Sequence, residues 1–323
     1  MSGASAQSGT APQLPPRARR RGPLLGIVIA AVVVIIAIIV AVVITRGSDD
    51  SSASGAGDKP RTVSIGVADA SQSYWKTFSA LAKKKYNVTI KLVNFSDYSQ
   101  PNPALSQGQT DLNQFQHIQY LANYNVTNDD DLQPIGATAV YPLPLYSTKY
   151  ASVAKIPANA KVAIPNDAIN EARGLLVLQS AGLLTLKGGG NAFSTTKDIA
   201  TTKVVLVPLD ASQTAGAVKS GSVAAAIVNK NFATDAGLKV KSALFQDDPS
   251  SAAAAPYVNV FAARKADIHN TLYAELAALY HDPSVEKGVQ TANQGTAVFR
   301  TTSAAALQAE LKKVEAQARA AAK

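Results

Sequence analysis

Arg173 and Asn170 are the residues whose types and spacing first suggest binding chemistry. They lie three positions apart in the run P-N-D-A-I-N-E-A-R, a spacing that places both side chains on one face of a helix. A guanidinium binds a carboxylate through two parallel hydrogen bonds, so this pair is suited to the anionic group of a small ligand. The alternative is that Arg173 pairs with a structural acid such as Asp167 or Glu171.

A second set of side chains lies in Asp111–Leu121, which reads D-L-N-Q-F-Q-H-I-Q-Y-L. If a strand ends at Phe115, the next turn aims that ring, the His117 imidazole and the Tyr120 phenol at one cavity. Such a set suits an apolar or thioether side chain, because sulfur packs well near aromatic rings. The alternative is that all three are partly buried core residues. His117 has no second histidine at i+4 and the chain has no cysteine, so no metal site is predicted.

The elements that would position Arg173 form a strand, a turn and a helix. Lys161–Ile164 is an apolar strand candidate, which Pro165 ends. Asn166 and Asp167 are both suited to cap the following helix, which is predicted to end near Gly182. The N-terminus of such a helix carries free N–H groups and the positive end of the helix dipole, so it favours an anion.

Strand and helix patterns alternate through the rest of the chain, which predicts an α/β fold with largely parallel sheets. Two apolar segments contain proline, Ile135–Tyr146 and Ala252–Ala263, and proline is rare in central strands. They are therefore predicted to be crossings between two lobes, the second through a strand over Tyr257–Ala262. A ligand would lie between the lobes, at the carboxyl ends of strands. Further predicted elements are the strands Thr62–Val67, Val88–Phe95, Val204–Val207 and Ser222–Val228, and the helices Tyr74–Lys85, Ser212–Ser220, Ala266–Tyr280, Ser284–Asn293 and Ser303–Ala322.

Composition and an apolar N-terminal run indicate how the chain is localised. Absence of cysteine from the sequence excludes disulfides, thiol catalysis and an N-terminal lipid-modified cysteine. Leu24–Ile44 is uncharged and would span about 31 Å as a helix, the thickness of a bilayer core. Arginines precede it, so the positive-inside rule predicts a disordered cytoplasmic tail over 1–23, a transmembrane signal-anchor over 24–44 and a linker over 45–61. The alternative is a cleaved signal peptide.

The charge pattern and the missing motifs exclude several classes of function. The net charge of +9 comes partly from the N-terminal arginines, and no basic stripe with interleaved aromatic residues is present, so no nucleic-acid partner is predicted. The sequence has no G-x-S-x-G, Walker or G-x-G-x-x-G motif. The chain is therefore predicted not to be an enzyme and to need no cofactor.

Six short motifs, in this order, resemble the NlpA/MetQ lipoprotein family over about Thr62–Arg300. They are N-x-x-D-Y (Asn94, Asp97, Tyr98), D-x-N-x-F-Q-H-x-x-Y-L (Asp111–Leu121), Y-P-L (Tyr141–Leu143), P-N-D-x-x-N-x-x-R (Pro165–Arg173), A-x-V-N (Ala226–Asn229) and P-Y-V-N (Pro256–Asn259). The chain departs from the family in three places: the lipid-anchored cysteine is missing, Gln119 stands where proline is common, and a C-terminal helix with Leu307, Leu311 and Val314 on one face follows the usual end.

The resemblance implies a type-2 periplasmic-binding-protein fold, with lobe I over 62–143 and 247–323 and lobe II over 144–246. It implies a membrane-anchored extracytoplasmic receptor that captures methionine or a related small amino acid and delivers it to an ABC permease with its ATPase subunit. The alternatives are a receptor for another amino acid or short peptide, and a surface-exposed structural or adhesion domain. Arg173 would bind the carboxylate, and the other implied ligand-binding residues are Tyr98, Phe115, His117, Tyr120, Asn170, Asn229 and Asn259.

Overall fold

The computed structural model describes residues 61–322. The predicted tail and the predicted anchor Leu24–Ile44 lie outside these residues. Within residues 61–322, no helix combines the length and the apolar character needed to cross a membrane.

Strands and helices alternate along most of the described chain. The strands are β1 Arg61–Val67, β2 Val88–Asn94, β3 Leu112–Gln114, β4 Gln133–Ala137, β5 Ala139–Val140, β6 Pro144–Tyr146, β7 Lys161–Pro165, β8 Leu184–Leu186, β9 Ile199–Thr202, β10 Val205–Leu209, β11 Ala225–Ile227, β12 Ala243–Gln246, β13 Val260–Ala263 and β14 Val298–Phe299. The α-helices are α1 Tyr74–Tyr86, α2 Pro101–Ser106, α3 Ile118–Asn128, α4 Ala168–Ser180, α5 Ala211–Ser220, α6 Lys230–Asp235, α7 Thr271–Leu279, α8 Pro283–Ala292 and α9 Ala304–Ala321.

Two mixed five-stranded sheets, each with its own hydrophobic cores, form two halves of the described chain. The first sheet has the order β2-β1-β3-β13-β4 and the second has the order β10-β7-β11-β6-β12. In each sheet one strand runs opposite to its neighbours, β13 in the first and β6 in the second. These are the strands by which the chain enters each half from the other. The prediction of largely parallel sheets is therefore correct for these two sheets apart from the entry strands, whereas the two-stranded sheets β5–β14 and β8–β9 are antiparallel.

The two crossings are each more divided than the proline-interrupted strands that the sequence predicts. Ile135–Tyr146 is divided among β4, β5 and β6, which belong to three different sheets, and Pro144 occupies the first position of β6, where its missing N–H is tolerated. The predicted strand Tyr257–Ala262 is wrong at its start, because Ala252–Tyr257 is a 3-10 helix and β13 begins at Val260. Pro256 lies inside that 3-10 helix.

The helices whose ends lie close to the predicted ends are those with a clear apolar face and a clear terminating residue. α1 buries Tyr74, Trp75 and Phe78 and ends at Asn87, which adopts a left-handed φ of 53° that asparagine tolerates well. The C-terminal helix α9 packs against α3 and β4. It buries Leu307, Leu311 and Val314 on one face, as the sequence predicts.

Candidate functional site

One cavity between the two halves is lined by all eight residues that the sequence singles out. They are Tyr98, Phe115, His117, Tyr120, Asn170, Arg173, Asn229 and Asn259. The cavity has a volume of about 90 Å³, enough for several water molecules and so for a ligand the size of a single amino acid. Gln119, at the position where relatives commonly have proline, does not line it and is buried instead.

Strand direction explains why residues far apart in sequence meet here. Phe115 follows the carboxyl end of β3, Asn229 follows β11, and Tyr98 lies in the loop after β2. The oppositely running strand β13 instead begins at this edge, so Asn259 lies just before its first residue. The carboxyl ends of parallel strands are the usual place for ligands in open α/β sheets.

Arg173 is buried and held in place from two directions. Its Nε donates to Asp247 Oδ2 at 2.8 Å and its Nη2 donates to the Tyr141 carbonyl oxygen at 2.8 Å. Its guanidinium carbon lies 4.3 Å above the Tyr257 ring, a favourable cation–π distance. Among residues 61–322 no bond to Nη1 is found, so this nitrogen remains for a ligand. The structural acid is therefore Asp247, and the pairing with Asp167 or Glu171 that the sequence leaves open is wrong.

Asn170 and Asp167 together determine the position of Asn229. The Asp167 carboxylate caps α4 by accepting the Asn170 backbone N–H at 2.9 Å, and it also accepts the Asn170 side-chain amide at 3.0 Å. Asn170 Oδ1 in turn accepts Asn229 Nδ2 at 2.8 Å. The N-terminus of α4 is thus occupied by its own carboxylate and not left free for an external anion, contrary to the prediction. Asn170 positions Asn229 across the cavity wall.

Asn229 carries an unsatisfied acceptor. Its Oδ1 is buried and has no hydrogen-bond partner among the described residues. A buried polar atom without a partner costs about 1–3 kcal/mol, and native proteins rarely leave one unless something external satisfies it. A ligand N–H in the cavity would do so.

His117 is the N-cap of α3 and is buried. Its Nδ1 accepts the Tyr120 backbone N–H at 3.2 Å, which places the ring proton on Nε2. Burial, and then the nearby positive charge of Arg173, lower the pKa of His117 to about 3. The imidazole is therefore neutral at physiological pH and serves the cavity as a hydrogen-bond donor.

Aromatic rings surround the middle of the cavity. The centroids of Tyr98, Phe115 and Tyr120 lie 5.8–6.2 Å from one another, and the Phe232 ring of α6 lies 5.0 Å from that of Tyr98. The hydroxyl of Tyr98 also donates to Asn231 Oδ1 on the second half. Such a cluster offers polarizable faces to an apolar or sulfur-containing side chain.

Several cavity residues are not among those that the sequence assigns to ligand binding. Asp69, Tyr74, Tyr141 and Lys230 line the same cavity, and Asp247 holds Arg173 from outside it. Asp69 follows strand β1 and Lys230 follows strand β11. Their positions after the carboxyl ends of these strands were the only indication that they line the cavity.

Comparison with known proteins assigns this architecture to a family. The family model described as NlpA lipoprotein matches residues 63–300. The chain belongs to the NlpA lipoprotein family. It is 35% identical over 243 residues to a protein of Yersinia pestis named D-methionine-binding lipoprotein MetQ, a match that covers 74% of this chain and 88% of the relative.

Solved structures agree with this assignment. The substrate-binding protein of a methionine transporter from Streptococcus pneumoniae is 37% identical with a TM-score of 0.68, covering 74% of this chain and 95% of the other. A nutrient-binding protein from Burkholderia cenocepacia, solved bound to methionine, is 34% identical with a TM-score of 0.67, covering 73% and 99%. This chain thus has an α/β periplasmic-binding-protein-like fold, and it is a substrate-binding protein of the methionine ABC transporter family, not an enzyme.

Proposed function

We propose that this chain captures methionine or a closely related amino acid in the cavity and delivers it to an ABC permease. The observation that carries the proposal is that a buried acceptor without a partner, on Asn229, lines the same cavity as the Arg173 guanidinium. Arg173 Nη1 is available for a carboxylate, and Asn229 Oδ1 is a buried acceptor without a partner. These two groups suit the two charges of an amino acid, with the aromatic cluster left for its side chain.

The remaining predicted residues complete this arrangement. His117 Nε2 donates to the carboxylate or to the thioether sulfur, and the Asn259 side chain offers a second carbonyl oxygen to the ammonium group. Methionine has nine heavy atoms, so a ceiling of about 1.5 kcal/mol per atom limits its binding free energy to roughly −13 kcal/mol. Nanomolar affinity requires about −12 kcal/mol. It is therefore attainable only if nearly every polar group of the ligand is satisfied.

The two halves act as lobes in this proposal. Lobe I comprises residues 62–143 and 247–323, lobe II comprises residues 144–246, and the ligand is enclosed when they close about the two crossings. Leu24–Ile44 anchors the chain as a single membrane span with its N-terminus in the cytoplasm and its binding domain outside. This anchor takes the place of the lipid that a cysteine would carry, and mass spectrometry of the mature N-terminus tests it.

The test of binding is calorimetry on the full-length chain in detergent with a panel of amino acids, short peptides and both enantiomers of methionine. Arg173→Ala should weaken methionine binding by about 3 kcal/mol or more, because it leaves the carboxylate without its charge-assisted hydrogen bonds. Arg264→Ala is the matched control, because Arg264 also bonds backbone carbonyls and pairs with an aspartate. It does not line the cavity.

If the Arg173→Ala variant binds methionine with an affinity within twofold of the parent, Arg173 does not bind the ligand. Failure of every amino acid and peptide to bind the parent chain would instead favour the structural or adhesion alternative.

A further inference from the structure

The two halves of the described chain differ in net charge. Residues 144–246, the second half, contain eleven Lys and Arg and five Asp and Glu, which gives a net charge of +6. Residues 62–143 and 247–322, the first half, contain twelve Lys and Arg and fourteen Asp and Glu, which gives −2. The second half therefore attracts anionic partners more strongly than the first half does.

Five exposed lysines of the second half lie at the edge of its sheet that is remote from the cavity. The parallel neighbours β7, β10 and β11 have their carboxyl ends towards the cavity, and the lysines lie in the connections that lead into their amino ends. We call this set the basic face. It consists of Lys149, Lys155, Lys161, Lys203 and Lys219.

Hydrogen bonds join the connections that carry these lysines. Lys149 Nζ donates to the Gly221 carbonyl oxygen at 2.7 Å, next to the end of α5. The Lys161 carbonyl oxygen accepts the Ala224 N–H at 2.7 Å, and the Lys203 carbonyl oxygen accepts the N–H of the residue two positions before Lys161, also at 2.7 Å. The three connections are therefore contiguous, and the basic face is one surface.

The basic face has no acidic side chain of its own. Residues 147–161, 203–205 and 217–225 contain no Asp or Glu, and none of the five lysines forms an ion pair with a residue between 61 and 322. The acids of the second half lie elsewhere and accept hydrogen bonds there: Asp167, Glu171, Asp198, Asp210 and Asp235.

The other side chains of the basic face indicate the kind of anionic partner. Val205 is paired with Lys161 in the sheet, and it is 47% exposed, the one large apolar side chain among residues 61–322 that is largely exposed. No arginine lies in these connections, and Tyr150 packs against the core. Nucleic acids are bound by Arg with stacking aromatic rings, and protein interfaces have buried aromatic or Arg anchors. Lysines around a small apolar side chain suit a layer of anionic lipid headgroups.

We propose that the basic face binds the anionic headgroups of the membrane to which the chain is attached. This inference rests on the membrane anchor proposed above. The predicted linker 45–61 can extend to about 60 Å at most, so the folded part stays near the bilayer. Each lysine at an anionic surface strengthens binding about fivefold, an effect that falls off within a Debye length.

Strand direction determines how the folded part would lie on the membrane. The carboxyl ends of the parallel strands of both sheets meet at the cavity, so the amino end of β1, at Arg61, and the basic face lie on opposite sides of it. The predicted linker leads into Arg61. Attachment through the linker on one side and the basic face on the other places the cavity alongside the bilayer and leaves it unobstructed.

The experiment uses the full-length chain reconstituted in vesicles of phosphatidylcholine alone or with about 30% phosphatidylglycerol. The chain has no cysteine, so Ser222→Cys, at an exposed position of the basic face, carries a single dye. Energy transfer from this dye to labelled headgroups measures how close the face is to the bilayer. We expect phosphatidylglycerol to raise the transfer efficiency at least twofold, and about 0.5 M salt to cancel the increase.

Two triple variants with the same change in charge test the basic face. The first replaces three of its lysines by glutamine: Lys155→Gln, Lys161→Gln and Lys203→Gln. The matched control replaces exposed lysines of the same half that lie outside the face: Lys197→Gln, Lys239→Gln and Lys241→Gln. The first variant should lose the increase caused by phosphatidylglycerol, and the control should keep it. Both should bind methionine within twofold of the parent, because neither alters the cavity.

Two results would overturn the inference while leaving the proposed function in place. One is equal energy transfer in the two kinds of vesicle for the parent chain, which depends on no triple variant and would leave an acidic protein as the partner of this face. The other is an equal loss in both triple variants. If the parent floats only with phosphatidylglycerol vesicles, the anchor is wrong but the basic face binds as proposed. If it binds no amino acid, the receptor function fails independently of this contact.

Discussion

At the scale of single residues, the sequence identifies the groups that meet the ligand better than the groups that hold them. Arg173 and Asn229 are evident from residue type and spacing, and both line the cavity. Asp247 is not evident, because it lies 74 positions from Arg173 and follows no motif. Asp69 and Lys230 were missed for a different reason: a lone charge after a strand looks like an ordinary surface residue until the cavity encloses it.

His117 makes a prediction about pH. Its pKa is about 3 in the folded chain and about 6.5 in an unfolded one. Between these values the unfolded chain binds a proton that the folded chain does not. The stability contributed by the neutral ring is therefore complete above about pH 6.5 and is lost as the pH falls towards 3.

His117→Asn tests this contribution, because asparagine can still cap α3 through the Tyr120 N–H but does not titrate. Between pH 7 and pH 4 the parent should lose about 3 kcal/mol more unfolding free energy than the variant. Urea denaturation at both pH values measures the difference. His269→Asn, at an exposed position, is the control and should lose as much unfolding free energy between pH 7 and pH 4 as the parent. If His117→Asn also loses as much as the parent, the buried neutral His117 is not the source of the pH dependence.

At the scale of elements, periodic segments are predictable and segments defined by partners are not. α1, α4, α5, α8 and α9 begin and end within a few residues of their predicted limits, because each has an apolar face and a clear cap. The hairpin of β8 and β9, the edge strand β12 and the short helix α6 were missed. Their sequences are short, and they are stabilised by neighbours from distant parts of the chain.

Close packing of β4 on α7 gives a prediction at this scale. A Cβ at Gly136 would lie 2.7 Å from the Ala277 Cβ, so Gly136→Ala should destabilise the fold by about 1–3 kcal/mol. Adding Ala277→Gly removes the clash at a helix cost of about 1 kcal/mol. The double variant should therefore show a favourable coupling energy in urea denaturation.

Gly216→Ala is the control for this pair, because a Cβ there meets no atom within 4 Å and Gly216 lies within α5. It should be neutral or slightly stabilising. If the effects of Gly136→Ala and Ala277→Gly on the unfolding free energy are purely additive, β4 and α7 can move apart to accept the added methyl group, and the predicted clash is absent.

At the scale of the whole molecule, the two halves are connected by hydrogen bonds on the α6 side of the cavity. Gln72 bonds Asp235, and Tyr98 bonds Asn231. Further from the ligand, Gln294 Oε1 accepts the Val240 N–H at 3.0 Å and its Nε2 donates to the Leu238 carbonyl at 3.3 Å. The two halves, as the structure describes them, therefore have contacts with each other that are independent of any ligand.

Gln294→Ala should weaken methionine binding about fivefold, although Gln294 does not line the cavity. Losing these two bonds destabilises the closed form relative to the open form by about 1 kcal/mol. The apparent affinity for methionine falls in proportion to the population of the closed form. Stopped-flow measurements should show the change mainly as faster dissociation. Gln308→Ala removes a comparable bond to the Pro134 carbonyl within the first half. It should leave the rate unchanged, and an equal effect of both variants would contradict a role in closure.

The chain contains one tryptophan, and its indole N–H is donated to Asp69, a residue of the cavity wall. Any group that approaches that carboxylate alters the electric field around the indole. The intrinsic fluorescence of the protein is thus a built-in optical probe of one defined point in the cavity, without an attached dye. Ligands that reach Asp69 should shift the emission spectrum, so binding next to Asp69 can be followed in real time.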